Sequence, residues 1–250
     1  MSQPQNPVVV IPARMTAHRL PGKPLADIRG APMIVHVWRR AAEADLGPVV
    51  VACAEAEIID AVEAAGGHAV MTRPDHVSGT DRVFEAIEAI DEERCFDAVI
   101  NLQGDLPTIA PEAVGAVLAP LADEAVDIGT LAAAAAPEER DDPNVVKAVV
   151  SLAAGASIGR ALYFSRAPVP FGDGPLYHHI GIYAFRRAAL ARFVELPPGA
   201  LEKRERLEQL RALENGMRID AALVDTVPLG VDTPADLERA RRLLADPGKE

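Results

Sequence analysis

The sequence predicts an α/β fold with a mostly parallel β-sheet, helices on both of its faces and a small mixed lobe. Short β-branched segments alternate with longer segments of helical apolar spacing from Val8 to Leu102. Strands that are separated by helices pair in parallel, and the intervening helices cover the sheet. The chain has 250 residues, of which 49% are hydrophobic, and this is enough to bury one core of this kind.

The first half of the chain carries the clearest alternation. We predict strands at Val8–Ile11, Val49–Ala52, Ala69–Met71 and Ala98–Leu102, and helices at Met33–Ala44, Ile58–Ala65 and Asp81–Ile90. Pro12 ends the first strand, and a segment rich in glycine and proline follows it as far as Pro24. Gly66–Gly67 ends the second helix, since glycine adopts the left-handed backbone that commonly follows a helix.

The second half of the chain is less regular. We predict strands near Ile128–Ala132, Val145–Val150, Ile180–Phe185 and Ile219–Val224, and helices at Leu201–Glu214 and Pro234–Leu244. Residues 1–250 are expected to form a single domain, in which roughly residues 133–200 form the mixed lobe.

Charge and composition argue against several classes of protein. The net charge of −12 argues against a nucleic-acid partner, because proteins that bind nucleic acids cluster Lys and Arg. No apolar segment approaches the roughly 20 residues of a membrane-spanning helix, and the first residues, MSQPQNP, lack the layout of a signal peptide. We therefore expect a cytoplasmic protein without a membrane partner. Cys53 and Cys95, the two cysteines, are interpreted as packing residues.

Three cations lie in the connection after the first strand. Arg14, Arg19 and Lys23 accompany a glycine and three prolines in this segment, and the backbone amides of such a segment can surround phosphates. The segment has no G-x-x-x-x-G-K-[ST] motif, and the chain has no G-x-G-x-x-G fingerprint of a dinucleotide-binding fold. The cations therefore predict a phosphate-binding loop of another kind, and a solvated surface loop is the alternative.

Two carboxylates are candidates for holding a metal ion. Asp105 follows Gln103-Gly104 at the end of a predicted strand, and Asp232 precedes the last predicted helix. Ligands of parallel sheets bind at the carboxyl ends of the strands, and Mg²⁺ takes one or two carboxylates together with phosphate oxygens and water. Each residue also has an ordinary explanation, Asp105 as a turn residue and Asp232 as the N-cap of a helix.

Several other polar residues gain a role only from their context. His178–His179 precedes an apolar strand, and the alternation of a strand sends one imidazole to each face. Glu208–Gln209 lies on a charged helix, for which a solvated face is the usual explanation. Arg82 and Lys147 are ordinary surface cations unless the fold places them at a site.

A series of motifs runs in order along nearly the whole chain. The motifs are IPAR, RLPGKPLADI, PMIVHVWRRA, VEAAGG, MTRPDHVSGTDR, NLQGD, DPNVVKAV, ALYFSRAPVP, HHIGIYAFR, LEKRERLEQLRALENGMRI and VPLGVDTPADLERAR. In these motifs the chain resembles the 3-deoxy-manno-octulosonate (Kdo) cytidylyltransferases, also called CMP-Kdo synthetases. MTRPDHVSGTDR, and HHIGIYAFR followed by LEQLRAL, separate this family from other sugar nucleotidyltransferases.

The resemblance implies a Rossmann-like nucleotidyltransferase fold that transfers CMP from CTP to Kdo and releases pyrophosphate. CTP and Kdo would be its small-molecule partners, and Mg²⁺ its cofactor. The resemblance further implies a homodimer, a lobe at roughly residues 133–200 that serves dimerisation and sugar binding, and a place in lipopolysaccharide inner-core biosynthesis.

The resemblance also implies roles for individual residues. Arg14 and Lys23 are similar to the family's triphosphate contacts, and Asp105 and Asp232 to its metal ligands, so these four would be catalytic. The other residues of the nucleotide site would be Pro12, Ala13, Arg82 and Gln103. The sugar-acid pocket would contain Gln103, Arg166, His179, Glu208 and Gln209.

The chain departs from the family pattern in three places. The family usually has Y-A-S-T at the position of Met15–His18. It often has Glu at the position of Leu106, and it usually has A-T-D at Ala52–Ala54, where this chain reads A-C-A. No departure removes a proposed metal ligand or phosphate cation, so we expect activity to survive. The alternatives are a cytidylyltransferase for a related acidic sugar, such as 8-amino-Kdo or a sialic-acid-like sugar, and a catalytically silent nucleotide-binding paralogue.

Overall fold

The computed structural model describes residues 3–16 and 20–245. Its strands are β1 (Pro7–Ala13), β2 (Asp27–Ile28), β3 (Ala31–Pro32), β4 (Val49–Cys53), β5 (His68–Met71), β6 (Ala98–Asn101), β7 (Ile128–Ala134), β8 (Lys147–Ser151), β9 (Ile158–Ser165), β10 (Tyr177–Arg186) and β11 (Ile219–Leu223). Its α-helices are α1 (Met33–Glu43), α2 (Ala56–Ala64), α3 (Gly79–Ile90), α4 (Pro111–Ala116), α5 (Arg187–Glu195), α6 (Ala200–Glu205), α7 (Leu210–Glu214) and α8 (Pro234–Leu243).

The chain divides into two compact units. The N-terminal unit contains the described residues of Asn6–Phe96, Asn101–Val114 and Pro228–Glu250. The central unit contains the described residues of Met1–Gln5, Asp97–Ile100 and Gly115–Val227. Residues 133–200, for which the sequence predicts a mixed lobe, lie within the central unit.

The N-terminal unit contains a parallel sheet in which β5, β4 and β1 are adjacent in that order. Ile11 of β1 pairs with Val51 of β4. All four residues of Val8–Ile11 are at most 1% exposed, as expected for a parallel strand that is covered on both faces. Helix α1 connects β1 to β4 in sequence, and α2 connects β4 to β5, which confirms the predicted β-α-β-α order.

Two helices of the N-terminal unit begin with a capping box. The Oγ atom of Ser78 accepts a hydrogen bond from the backbone N–H of Asp81 at 3.1 Å, and the Asp81 carboxylate accepts one from the Ser78 N–H at 3.3 Å. Thr233 and Asp236 exchange the same two bonds at the start of α8. Caps of this kind satisfy N–H groups that have no partner in the first turn, and α3 therefore begins at Gly79, before its predicted start.

The central unit contains a mixed sheet. Its strand order is β6-β10-β7-β11-β9-β8. β7 and β11 pair in parallel, whereas β10 with β7, β11 with β9 and β8 with β9 are antiparallel. The predicted α/β class is thus confirmed, with parallel pairing throughout the three-stranded sheet of the N-terminal unit.

The structure corrects the predicted helix at Leu201–Glu214. That segment forms two short helices, α6 and α7, because Arg206 adopts a left-handed backbone with φ of 58° and ends the first of them. Five further strands and helices were not predicted, namely β2, β3, α4, α5 and β9. In β9, Ile158, Arg160 and Leu162 are exposed and Ala161 is buried. Two of the exposed side chains are apolar, so the sequence of β9 lacks the polar–apolar alternation that would have predicted a strand.

The two cysteines differ in their surroundings. Cys53 is fully buried in β4, as predicted. Cys95 is exposed, so its interpretation as a packing residue is wrong. Cys95 follows Arg94, which has a left-handed backbone with φ of 55° in the turn before β6. Among the helices of residues 3–16 and 20–245, none has the length and apolar character needed to cross a membrane.

Candidate active site

The N-terminal unit contains a cavity of about 370 Å³. Eight of the predicted site residues line it: Pro12, Ala13, Arg14, Lys23, Arg82, Gln103, Asp105 and Asp232. It is also lined by Thr16, Leu20, Pro24, His76, Ser78, Gly79 and Gly104, which had no predicted role. Four segments of the chain therefore meet at the cavity: the loop after β1, the start of α3, the loop after β6 and the residues before α8.

Gly104 allows the loop after β6 to approach the end of β1. A Cβ atom at this position would lie 2.9 Å from the carbonyl oxygen of Pro12 and 3.3 Å from Cδ1 of Ile34. Both distances are shorter than ordinary contacts, so a side chain would push the loop away from β1. The absence of a side chain at Gly104 therefore sets the position of Asp105, the next residue.

Lys23 is the electrostatic centre of the cavity. Gly22 adopts a φ of 69°, and the turn that follows places the Lys23 ammonium 2.8 Å from Oδ2 of Asp105 and 3.1 Å from Oδ1 of Asp232. Burial by itself lowers the pKa of Lys23, but the two carboxylates, with Asp105 the stronger, outweigh burial and raise the pKa above its ordinary value. The ammonium therefore stays charged, and it holds both carboxylates at one place.

Asp232 faces Lys23 because another residue caps helix α8. Thr233 is the N-cap, and its side chain accepts the hydrogen bond from Asp236. The alternative in which Asp232 is the N-cap is therefore wrong. The backbone N–H of Val231 donates to the carbonyl of Asp105 at 2.9 Å, and this bond joins the two loops that carry the carboxylates.

The donor set of the cavity fits Mg²⁺. Asp105 and Asp232 already share one cation, the Lys23 ammonium. No group of three or more His, Cys, Asp or Glu side chains that could hold a metal occurs within the described part of the chain. Mg²⁺ commonly binds through one or two carboxylates and completes its shell with substrate phosphates and water, so a nucleotide would have to supply the remaining ligands.

Arg82 and Gln103 are held in fixed orientations. Arg82 is 3% exposed and donates from Nη1 to Oγ1 of Thr72 at 2.5 Å; burial lowers the pKa of its guanidinium. Gln103 donates from Nε2 to Oδ1 of Asn101 at 3.1 Å, and Asn101 donates to Thr80 at 3.3 Å. Because the amide group of Gln103 donates to Asn101, its own carbonyl oxygen stays available as an acceptor.

His76 is a cavity residue for which the sequence suggested no role. Its side chain is 6% exposed, and its Nε2 atom is hydrogen-bonded to the carboxylate of Glu85 on α3. The sequence feature that could have identified His76 is its position in the motif MTRPDHVSGTDR, two residues before Ser78, the N-cap of α3.

The other four predicted sugar-binding residues lie in the central unit, and none of them is among the residues that line the cavity. Arg166 donates from Nε to the carbonyl of Glu205 at 3.0 Å and from Nη1 to that of Pro143 at 2.9 Å. Gln209 is buried, and Glu208 lies 3.9 Å from the guanidinium of Arg211. Their sugar-binding role stays a prediction.

His179, the last of the four, is a buried neutral imidazole. Its Nε2 atom lies 3.0 Å from Oγ1 of Thr130, which itself donates to the carbonyl of Ile182 at 2.8 Å. Because that hydroxyl has only one proton, the imidazole must donate to it from Nε2. Burial, with a smaller contribution from His178, lowers the pKa of His179 to about 3.

Comparison with known proteins decides the family. A model of the cytidylyltransferase family matches residues 8–219. The 3-deoxy-manno-octulosonate cytidylyltransferase of Paramagnetospirillum magneticum is 69% identical over 240 residues, which cover 96% of this chain and 98% of that protein. The protein of the same name from Rhodospirillum centenum is 68% identical, with 96% and 94% covered.

This chain belongs to the 3-deoxy-manno-octulosonate cytidylyltransferase family. A solved structure of CMP:2-keto-3-deoxy-manno-octonic acid synthetase complexed with CTP agrees with this assignment. It is 42% identical, has a TM-score of 0.89, and the match covers 96% of this chain and 99% of that one. A nucleotidyl transferase from Methanothermobacter thermautotroptrophicus shares the fold. It is 15% identical, has a TM-score of 0.63, and the match covers 96% of this chain and 98% of that one.

A carboxylate follows one departure from the pattern of the cytidylyltransferase family. Ala54 stands where the family usually has aspartate, and Glu55 comes next. The Glu55 carboxylate accepts hydrogen bonds from the backbone N–H of Met15 at 3.0 Å and of Ala54 at 3.3 Å. Glu55 therefore joins the loop after β1 to the end of β4. Ala17 and His18, where the family pattern also changes, and Arg19 lie outside the described residues.

Proposed function

We propose that this protein transfers CMP from CTP to Kdo, giving CMP-Kdo and pyrophosphate for the lipopolysaccharide inner core. The observation that carries the proposal is the ammonium of Lys23 between the carboxylates of Asp105 and Asp232, at 2.8 and 3.1 Å, in the wall of one cavity. A nucleoside triphosphate and its metal require both kinds of charge at one place. The names of the relatives support CTP and Kdo as the substrates.

The loop after β1 would bind the triphosphate. Arg14 is exposed at the cavity and Lys23 lies at its wall, so both can neutralise charge as pyrophosphate leaves. Pro12 and Ala13 line the same cavity. Arg82, whose guanidinium is fixed by Thr72, would border the cytidine.

Asp105 and Asp232 would hold Mg²⁺. When bound, the ion would neutralise phosphate charge and lower the pKa of the attacking hydroxyl. The two carboxylates also hold Lys23 at this end of the cavity, where its ammonium can bind the pyrophosphate.

The reaction would be an in-line displacement at the α-phosphorus of CTP. The anomeric oxygen of Kdo forms a bond to phosphorus and loses its proton to water, while the bond from the α-phosphorus to the bridging oxygen of pyrophosphate breaks. The protein contributes mainly position and charge. Arg166, His179, Glu208 and Gln209 are proposed to bind the sugar acid together with Gln103, with Arg166 as the cation for its carboxylate.

We also propose that the protein is a cytoplasmic homodimer, as the family resemblance implies. Light scattering after size-exclusion chromatography tests the dimer. A species with the mass of one chain, 26.5 kDa, at micromolar concentration contradicts it.

The function is tested by pyrophosphate release from purified protein with CTP, Kdo and Mg²⁺, each omitted in turn. Reactions with UTP, ATP and 8-amino-Kdo measure the specificity for nucleotide and acceptor. We expect release only when CTP, Kdo and Mg²⁺ are all present. If 8-amino-Kdo is turned over faster than Kdo, 8-amino-Kdo is the acceptor. If the protein binds CTP but releases no pyrophosphate with any acceptor, it is a silent paralogue.

A further inference from the structure

The His76 side chain forms part of the cavity wall. Its imidazole is 6% exposed, and Nε2 is hydrogen-bonded to Oε2 of Glu85. Since Nε2 is engaged with Glu85, Nδ1 is the ring nitrogen that remains for a ligand.

Glu85 determines which ring nitrogen of His76 carries the proton. The backbone N–H of Arg73 lies 3.2 Å from each oxygen of the Glu85 carboxylate, and Nε of Arg73 lies 3.5 Å from Oε2. Burial raises the pKa of Glu85, but the hydrogen bonds from His76 and Arg73 outweigh burial and lower it. Glu85 is therefore a carboxylate, which only accepts, so Nε2 of His76 must carry a proton. In the neutral ring Nδ1 is then an acceptor.

The Glu85 carboxylate has a second partner besides the imidazole. Nε of Arg73 lies 3.5 Å from the same oxygen, and an imidazole with its proton on Nε2 satisfies the hydrogen bond to Glu85. In this tautomer Nδ1 is an acceptor, within a cavity that elsewhere contains five charged groups, those of Arg14, Lys23, Arg82, Asp105 and Asp232.

The wall at His76 is suited to a base rather than to phosphates. Ser78 and Gly79 follow His76 in the lining of the cavity, and a Cβ atom at Gly79 would lie 3.9 Å from Oε1 of Gln103. The polar side chains at this wall are an imidazole, a hydroxyl, an amide and, from the first turn of α3, the guanidinium of Arg82 that donates to Thr72. Anionic phosphates are better served by the cations of the loop after β1, which leaves this wall for the base.

We infer that His76 distinguishes cytosine from uracil by accepting a hydrogen bond at Nδ1 from the 4-amino group of the base. The inference rests on the proposed function and names the residue that selects the nucleotide at that site. Cytosine has a donor at this position, whereas uracil has a carbonyl acceptor. Two acceptors facing each other repel and leave both without a partner, which disfavours uracil by roughly 10- to 100-fold.

The first test compares the dissociation constants of CTP and UTP by calorimetry without a sugar acceptor. We expect His76→Phe, which keeps a planar ring but removes both nitrogens, to reduce the preference for CTP over UTP by about tenfold or more. His68→Gln is the matched control, because His68 is exposed on β5 and does not line the cavity. This control should keep the wild-type preference.

Glu85→Gln tests the orientation of the proton without removing the imidazole. The amide oxygen of the new side chain would accept from the Arg73 N–H, so its NH₂ group would donate to Nε2 of His76. The proton of the neutral ring would then move to Nδ1, which becomes a donor suited to the carbonyl of uracil. We expect the ratio of CTP to UTP affinity to fall, with the far-ultraviolet circular dichroism unchanged.

The possible results separate the inference from the proposed function. If the wild-type protein prefers CTP and both variants are folded and keep the same preference, the inference about His76 is overturned and the proposed function stands. A wild-type protein that binds neither nucleotide overturns the proposed function and, with it, the inference. A loss of selectivity in both variants but not in His68→Gln supports the assignment of His76.

Discussion

Lys23 donates to the carboxylate of Asp105 at 2.8 Å, although 81 residues separate the two in the sequence. The same ammonium lies 3.1 Å from Asp232. Three segments that are distant along the chain therefore meet at one cation. Their charges compensate one another, so the ammonium keeps the two carboxylates together before a metal or substrate binds.

Asp105→Asn and Asp232→Asn should each lower kcat by about 100-fold, because each removes a charge that holds Mg²⁺ and positions Lys23. Steady-state pyrophosphate release at saturating CTP, Kdo and Mg²⁺ measures the effect. Asp60→Asn on α2, which is exposed, is the control and should retain wild-type activity. Unchanged turnover in Asp105→Asn would refute the role of that carboxylate.

Lys23→Met should weaken CTP binding but strengthen the binding of a divalent cation in the absence of nucleotide. The ammonium and the metal compete for the same carboxylate oxygens, so its removal should tighten Mn²⁺ binding by about tenfold or more. Titration followed by electron paramagnetic resonance measures free Mn²⁺. Lys203→Met on α6 is exposed and serves as the control. Weaker Mn²⁺ binding in Lys23→Met would contradict this account of the site.

Arg166→Lys should raise the KM for Kdo while leaving the KM for CTP unchanged. The guanidinium of Arg166 is oriented by the carbonyls of Glu205 and Pro143, and a lysine cannot keep both bonds and also bind a carboxylate with two donors. Arg160→Lys, at an exposed position of β9, tests for a general effect of the substitution. Equal increases in both KM values would argue against a specific contact with the sugar.

The buried His179 should make the free energy of unfolding depend on pH. Burial lowers its folded-state pKa to about 3 from an ordinary value of 6.5. Between these values the unfolded chain binds a proton that the folded chain does not, so this contribution destabilises the protein by about 1.4 kcal/mol per pH unit as the pH falls below 6.5.

His179→Gln removes this titration. We expect the difference in unfolding free energy between wild type and variant, measured in urea, to be constant above pH 7 and to shrink between pH 6.5 and roughly 4.5. His68→Gln, at an exposed position, should show no such trend. A difference that stays constant across this pH range would mean that the folded protein binds the proton as readily as the unfolded chain.

Glu202 and Arg211 form an ion pair that should stabilise the central unit. Their two hydrogen bonds are 2.9 and 2.6 Å long, and their side chains are 12% and 7% exposed. Glu202→Gln should cost about 3 kcal/mol of unfolding free energy, because a nearly buried guanidinium loses its hydrogen-bonded counter-charge and keeps only Glu208 at 3.9 Å. Glu43→Gln, which breaks the surface pair with Arg40, should cost at most about 0.5 kcal/mol. Similar losses in the two variants would contradict the importance of burial.

Local sequence patterns predicted much of the N-terminal unit. Apolar periodicity located β1, α1, β4 and α2, because each of these elements buries a continuous stretch or a regular face. The break at Arg206 was not predictable in this way, since a left-handed backbone at arginine is unfavourable by itself and is imposed by the surrounding structure.

The start of α8 shows where local patterns leave a choice. Asp232 and Thr233 are both good N-cap residues, so the presence of either one does not decide between them. The spacing of Thr233 and Asp236 fits a capping box, a local signal for threonine that the interpretation of Asp232 as the N-cap did not use. His76 had no comparable signal, because its role depends on its contact with Glu85 and on the shape of the cavity wall.

The sequence by itself determined the α/β class, the family resemblance and the candidate residues of the nucleotide site, because these follow from periodicity and from motifs of neighbouring residues. Only the tertiary structure decided that Lys23 lies between Asp105 and Asp232 and that His76 borders the cavity. The physical reason is that such contacts depend on how distant segments pack, and a linear pattern does not record distances between residues that are far apart in the chain.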